Sequence, residues 1–123
     1  MKFSVFFGAI SGFLSVVIGA FAAHLLKHQL DGDSLALIKT AVEYQMFHAA
    51  ALILTGVLYK QSASIYLTLS SLGFILGGLF FCGSLYALAF GLPKIIGAIT
   101  PIGGCLFLFG WLTLAIHSWP NKK

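Results

Sequence analysis

The feature of this sequence that most restricts its fold is a series of four long segments without acidic or basic residues. Asp, Glu, Lys and Arg are absent from residues 3–23, 44–59, 61–93 and 95–121. Only 8% of the 123 residues are charged, whereas a soluble domain usually carries about 25%. About 20 apolar residues cross a bilayer as a helix. The sequence therefore predicts an all-α integral membrane four-helix bundle, with residues 1–123 forming a single transmembrane domain.

The spacing of charges and turn residues places the four helices near residues 3–25, 35–59, 64–90 and 95–117. Four crossings put both termini on the same side of the membrane. The N-terminal segment also resembles a signal peptide, because Lys2 precedes an apolar stretch that ends in Ala20-Phe21-Ala22. This stretch is longer than a usual signal core of about 7–15 residues, which favours a retained first helix.

Breaks are expected in the third and fourth helices. Residues 61–93 would extend about 50 Å as one straight helix, but the hydrocarbon core is only about 30 Å thick. We therefore expect a late start and a bend at Gly77-Gly78. In the fourth helix, Pro101 removes a backbone donor and predicts a kink. Trp111 and Trp119 are typical of an interfacial aromatic belt.

Small residues recur every fourth position in the first helix and predict close packing with other helices. They form two series, Ser4–Gly8–Gly12 and Ser11–Ser15–Gly19–Ala23, so we expect the helix to pack on two sides. Close backbone approach matters here because lipid gives helices no hydrophobic reason to associate. The predicted packing residues of the whole chain are Gly8, Gly12, Ser15, Gly19, Gly77, Pro101 and Gly104.

The second helix carries polar side chains where apolar ones are expected. Tyr44, Gln45 and His48 share one face at 100° per residue, and polar groups left in lipid would be unsatisfied. We expect this face to point into the bundle and His48 to bond outside its own helix, near His24. The candidate intramembrane cluster is His24, Tyr44, Gln45 and His48.

A second polar group lies on the opposite side of the same helix. A charge at the membrane centre costs about 2.5–3.5 kcal/mol on insertion scales, so Glu43 should face protein, interface water or a cation. The secondary candidates, which include its possible partners, are Glu43, Lys39, Lys27 and His28.

The charge pattern argues against nucleic acid and gives a small orientation bias. The net charge is +4, but the lysines stand almost entirely as single residues and there is no arginine. Four lysines on the side of the termini (Lys2, Lys60, Lys122, Lys123) face three on the other (Lys27, Lys39, Lys94), which slightly favours cytoplasmic termini. Cys82 and Cys105 lack CxxC spacing and are expected to be small packing residues.

Four motifs carry a resemblance to a known family. They are GAFAAHLLK (residues 19–27), TAVEYQMFHAAAL (40–52), GSLYAL (83–88) and GAITPIGG followed by GW (97–104, 110–111). In this order they resemble domain-of-unknown-function family 423, small bacterial inner membrane proteins related to transmembrane protein 256 of animals. The resemblance implies a four-helix inner membrane protein without an established activity. Ala22 and Leu25 replace glycines usual in the family, and the position of Glu43 is often basic there.

Three functions remain open from the sequence. The first is a non-enzymatic structural or accessory membrane protein, whose partners are the lipid bilayer and a second copy or another membrane protein. The second is a small dimeric transporter or channel that uses the polar face of the second helix. The third is a metal or haem site in which His24 and His28, four residues apart, are approached by His48. The chain has no HExxH, GxSxG or paired carboxylates, and we expect no enzyme activity, no cofactor and no bound metal.

Overall fold

The computed structural model describes residues 2–120, and within them the protein consists of helices and their connections. The long helices are α1 (Ser4–His24), α2 (Gly32–Gln61), α3 (Ile65–Ala89) and α4 (Ile99–His117). Short 3-10 segments, Leu26–His28 and Lys94–Ala98, precede α2 and α4. Each of the four segments is long and apolar enough to cross a membrane. The predicted all-α, four-helix membrane fold is confirmed.

Helix α2 begins earlier than predicted because Asp31 caps it. The Asp31 carboxylate accepts a hydrogen bond from the backbone N–H of Ser34 at 2.8 Å, which satisfies one of the unpaired donors of the first turn. The helix has 30 residues and is therefore about 45 Å long. It is longer than the hydrocarbon core is thick, so at least one end extends into the interface.

The expected irregularity in α3 is a π-helical segment. Residues Gly78–Cys82 are π-helical, between an α-helical first part, Ile65–Gly77, and an α-helical last part, Gly83–Ala89. On α4, a Cβ at Gly103 would overlap the backbone nitrogen and Cα of Phe81. The absence of a side chain at position 103 therefore lets the widened backbone of α3 pack directly on α4.

At Pro101, where the sequence predicts a kink, the structure has a change of helix type just before the proline. The chain is 3-10 helical over Lys94–Ala98 and becomes α-helical at Ile99. Pro101 therefore lies in the first turn of α4, where backbone N–H groups have no partner within the helix. Its missing donor costs little there, and the rest of α4 continues to His117.

The helices pack as two antiparallel pairs that are joined through α2 and α3. Helix α1 packs along α2, α3 packs along α4, and α2 contacts α3 between them. The core residues shared by these contacts include Ala41, Leu52, Phe74, Cys82 and Phe107. The centre of the bundle is thus formed by α2 and α3, and α1 is the most peripheral helix.

The small residues of α1 form a single stripe rather than the two sides expected from the sequence. Ser4, Gly8 and Ser15 are buried, and positions 4, 8, 11, 12, 15 and 19 fall within about 100° on a helix of 3.6 residues per turn. A Cβ at Gly8 would lie 2.7 Å from Ile53 Cγ1, and one at Gly19 would lie 3.4 Å from Val42 Cγ1. Both series therefore face α2, and the other side of α1 exposes large apolar side chains such as Phe13 and Val16.

Candidate functional site

His48 lies near the middle of α2 and joins it to α4. The side chain is only 7% exposed. Its Nε2 accepts a hydrogen bond from the indole N–H of Trp111 at 2.9 Å, and its Nδ1 lies 2.8 Å from the carbonyl oxygen of Tyr44. The imidazole also stacks on the ring of Phe107, with centroids 3.6 Å apart and planes 10° apart. Both ring nitrogens are therefore engaged, one of them with another helix.

These two contacts require one tautomer of His48. An indole N–H can only donate and a carbonyl oxygen can only accept. Nε2 must therefore carry a free lone pair, and Nδ1 must carry the proton that is donated to Tyr44. An imidazolium has no lone pair to accept from Trp111, so this arrangement holds a neutral ring.

Gln45 connects three helices with one side chain. Its Nε2 donates to the carbonyl oxygen of Ser11 on α1 at 2.9 Å. Its Oε1 accepts from the hydroxyl of Tyr86 on α3 at 2.6 Å. Gln45, a member of the candidate cluster from the sequence, thus has both its amide nitrogen and its amide oxygen bonded to protein groups.

A third group of hydrogen bonds is made of hydroxyls. Ser71 of α3 accepts from Ser4 of α1 at 2.8 Å, and it lies 2.9 Å from the Thr55 hydroxyl of α2. All three side chains are buried. On the other side of α3, Ser70 donates to the carbonyl oxygen of Gly110 on α4 at 2.8 Å. Hydroxyl hydrogen bonds therefore join α3 to each of the other three helices.

Tyr44 shares the face of His48 but lies at the edge of the bundle. It is 44% exposed, and its ring packs on Phe81 at 4.6 Å between centroids and more distantly on Phe107 at 6.4 Å. The expected interior position is therefore correct for Gln45 and His48 but only partly for Tyr44, because position 44 lies further round α2 toward lipid.

His24 is not part of this cluster, contrary to the expectation from sequence. Helices α1 and α2 are antiparallel, so that Ser11 is level with Gln45 and Gly19 with Val42. At the end of α1, His24 is therefore separated from His48 by about twelve residues of helix, or about 18 Å. Its side chain is exposed. The contact with His48 that was expected near His24 is made by Trp111 instead.

The secondary candidates are dispersed rather than paired. Glu43, Lys39, Lys27 and His28 are all exposed. Within residues 2–120, no ion pair or hydrogen bond involves the Glu43 carboxylate. In the same part of the chain, no group of three or more His, Cys, Asp and Glu side chains lies close enough together to hold a metal ion. The histidine cluster that the third hypothesis requires is thus not assembled.

The predicted packing residues differ in how closely they approach the atoms of neighbouring helices. Gly77 packs against Phe107, since a Cβ at position 77 would lie 2.5 Å from Phe107 Cδ1. Gly104 has ordinary spacing, since a Cβ at position 104 would lie 3.8 Å from the ring of Phe81. Pro101 is exposed. Of the cysteines, Cys82 is buried and its thiol lies 3.4 Å from the carbonyl oxygen of Ala41, whereas Cys105 is exposed.

Two cavities lie on opposite sides of His48. The inner groove, of about 450 Å³, lies between α1, α2 and α3 and is lined by apolar residues together with Ser11, Gln45, His48 and Tyr86. The second, which we call the aromatic cavity, has a volume of about 760 Å³. Its lining is Glu43, Tyr44, Phe47, His48, Phe81, Pro101, Gly104, Cys105, Phe107, Leu108 and Trp111.

Sequence reasoning missed the partners of the polar residues rather than the residues themselves. Trp111 was assigned to an interfacial belt, but its indole is half-buried and donates to the buried His48. The hydroxyls of Ser71 and Tyr86 were not selected at all. A polar residue that faces inward needs a partner, so a search for unassigned donors on the other helices could have found Trp111 and Tyr86.

Comparison with known proteins gives a consistent assignment. The model of a protein family of unknown function, DUF423, matches residues 18–104. A UPF0382 membrane protein of Haemophilus influenzae is 48% identical over 94% of this chain and 92% of its own length. The UPF0382 membrane protein SH2409 of Staphylococcus haemolyticus is 43% identical over 97% of each chain.

The UPF0382 inner membrane protein YgdD of Escherichia coli K12 is 38% identical over 99% of this chain and 93% of its own length. No solved structure matches the chain. The location in the bacterial inner membrane, with several crossings, is thus supported by both the relatives and the four spans. The orientation of the termini stays a prediction, and Lys122 and Lys123, on which it partly rests, lie outside the described residues.

Proposed function

We propose that this chain, which belongs to the DUF423 family of proteins of unknown function, is a non-enzymatic structural or accessory protein of the inner membrane. Its polar intramembrane residues would hold the helices in one register. Its partners would be the lipid bilayer and a second copy or another membrane protein.

The observation that carries this proposal is the satisfaction of the interior polar groups by one another. His48 uses both ring nitrogens, and Gln45 uses both its oxygen and its nitrogen. A residue that binds a substrate or relays a proton must leave a donor or acceptor available. The inner groove beside Gln45 is lined mainly by apolar side chains, which supports a packing role for that face.

The energies of these contacts fit a structural role. Interhelical hydrogen bonds in membrane proteins contribute on average about 0.6 kcal/mol and at most about 1.7 kcal/mol each. Several of them together can specify register without making the bundle rigid. The contacts from Gln45 and Ser71 join α1, α2 and α3, and those from His48 and Ser70 join α4 to the others.

The experiment that tests the proposal measures permeability and stability on the same variants. The purified protein is reconstituted into vesicles that contain a pH-sensitive dye, and proton entry is followed after a pH jump. We expect no more entry than in protein-free vesicles. We also expect Gln45→Leu to lower the unfolding temperature, because it leaves the Tyr86 hydroxyl without its acceptor.

A matched variant separates structure from transport. Gln45→Glu keeps an acceptor for Tyr86, whereas Gln45→Leu keeps none. Proton entry that exceeds the control and is lost in Gln45→Leu at an unchanged unfolding temperature would contradict the structural proposal. Loss of stability without any proton entry would support it.

The second candidate function is a small transporter, and the aromatic cavity is the observation that favours it. This cavity contains Glu43, an ionisable group in a membrane helix, which is a usual indicator of a transport pathway. The change of helix type before Pro101 lies at the same level of α4, as in membrane proteins whose binding sites are built on interrupted helices.

A further inference from the structure

We propose that the aromatic cavity between α2 and α4 is a binding site for a lipophilic organic cation, with the Glu43 carboxylate as its counter-ion and the surrounding rings as its walls. This site adjoins the hydrogen bond between Trp111 and His48, which both line the cavity. The two residues varied in its test, Glu43 and Phe47, take no part in the interhelical hydrogen bonds described above.

The first argument is the charge of the cavity. Among the described residues that line it, Glu43 is the one with a formal charge, and no lysine is present. Glu43 lies about 16 Å along α2 from Gly32, within a segment long and apolar enough to cross a membrane. An ionised carboxylate is costly in that environment unless a cation accompanies it.

The second argument is the aromatic wall. Tyr44, Phe47, Phe81, Phe107 and Trp111 contribute five rings to the same cavity as the carboxylate. Phe47 and Trp111 lie 5.6 Å apart between ring centroids, and so do Phe47 and His48. The faces of aromatic rings attract cations, and Trp is the best of them. An aromatic wall beside one carboxylate is the chemistry that recognises a quaternary or delocalised organic cation.

The third argument is size and access. The cavity holds about 760 Å³, within the range of about 300–1,000 Å³ that is usual for small-molecule sites. A strongly hydrated ion such as Na⁺ would find one carboxylate and no further oxygen-rich coordination here, whereas Ca²⁺ and Mg²⁺ sites use six or more oxygens. An apolar cation sheds little hydration and fits the apolar walls.

The test compares two probes of the same shape and opposite charge. Tetraphenylphosphonium and tetraphenylborate are titrated into the full chain in nanodiscs of zwitterionic lipid, with empty nanodiscs subtracted. The Trp119→Phe background leaves Trp111 as the single indole, so its fluorescence reports on the cavity wall. We expect saturable binding of tetraphenylphosphonium and none of tetraphenylborate.

The variants remove one element of the site at a time. Glu43→Gln should weaken tetraphenylphosphonium binding at least about tenfold, because it removes the counter-ion. Phe47→Leu should weaken it about three- to tenfold, because it removes one ring and keeps an apolar side chain. Asp33→Asn, which removes the same charge in the first turn of α2 outside the cavity, should leave binding unchanged.

Several outcomes would overturn the proposal. Equal binding of tetraphenylphosphonium by the unmodified chain and by Glu43→Gln would show that Glu43 is not its counter-ion. Equal uptake of tetraphenylborate would mean that the probe only partitions into apolar space. Absence of saturable binding in nanodiscs would also refute the site, and it would leave the structural role of Gln45 and His48 untouched, because that role is read from stability.

Discussion

The indole nitrogen of Trp111 and Nε2 of His48 lie 2.9 Å apart and join α4 to the middle of α2. Because helices α2 and α4 are otherwise bridged mainly by ring contacts, this bond is the main polar connection between them. Loss of this hydrogen bond should therefore lower the stability of the protein measurably.

His48→Leu should destabilise the protein by about 1–3 kcal/mol, because it leaves the indole N–H of the half-buried Trp111 without an acceptor. His48→Gln offers an amide oxygen at a similar place and should cost less. The unfolding temperature in bicelles measures both, with Trp119→Phe, an exposed tryptophan, as the control. An unchanged unfolding temperature for His48→Leu would refute the bond.

Gly8→Ala should destabilise the protein, whereas Gly12→Ala should not. A Cβ at Gly8 would lie 2.9 Å from the carbonyl oxygen of Ala49, whereas the nearest atom to a Cβ at Gly12 is 3.9 Å away. We expect Gly8→Ala to cost about 1–3 kcal/mol through overpacking and Gly12→Ala to be neutral or to add up to about 1 kcal/mol through helix propensity. Equal effects in the same unfolding assay would show that α1 does not pack on α2 in this register.

Ser71→Ala should destabilise the protein more than Ser4→Ala or Thr55→Val alone. Ser71 is the middle member of the hydroxyl group and contacts both of the others. Its removal should cost about 0.6–1.7 kcal/mol at the scale known for interhelical bonds in membranes. Ser62→Ala, at an exposed position after α2, is the matched control. Additive effects in the Ser4→Ala, Thr55→Val double variant would argue that the three hydroxyls do not act together.

The N-terminal cap of α2 should weaken in acid. The hydrogen bond from the Ser34 N–H to Asp31 lowers the pKa of that carboxyl from its ordinary value near 3.8. A lowered pKa means that the cap contributes fully above the unfolded pKa and is lost as the pH falls through the lower, folded value.

Hydrogen exchange at the Ser34 amide, corrected for the intrinsic pH dependence, should therefore lose protection as the pH falls below about 4. Asp31→Asn, which keeps an oxygen acceptor without a charge, should remove this pH dependence. Asp33→Asn should preserve it, because the side chain that caps the helix is Asp31. Protection that is independent of pH in the unmodified chain would contradict the cap.

The number and approximate ends of the helices could be predicted from sequence because lipid imposes them directly. A backbone without water must pair within a helix, and the length of an apolar run then gives the span. The predicted start of α2, near residue 35, is three residues late, because Asp31 caps the helix. The irregular turns at Gly78 and before Pro101 follow from local chemistry. These features depend on residues close together in the chain, which is why the pattern was sufficient.

The contacts between helices could not be predicted in the same way. The face of His48 was recognised, but its partner depends on the register of α2 against α4, which no local pattern encodes. Sequence placed His24 beside His48, although the antiparallel register of α1 puts them far apart. Trp111 was assigned to the interface from its position near a chain end, whereas its depth follows from the contacts of α4.

The most direct test of the account is the protonation of His48 in a lipid bilayer at neutral pH. Solid-state ¹⁵N NMR of the histidine-labelled protein distinguishes the two tautomers and the imidazolium, and the His48→Gln variant identifies the His48 signals among the four histidines. The contacts to Tyr44 and Trp111 predict a neutral ring with the proton on Nδ1 and an unprotonated Nε2. A proton on Nε2, or an imidazolium, would contradict the central claim that His48 is a satisfied contact between helices.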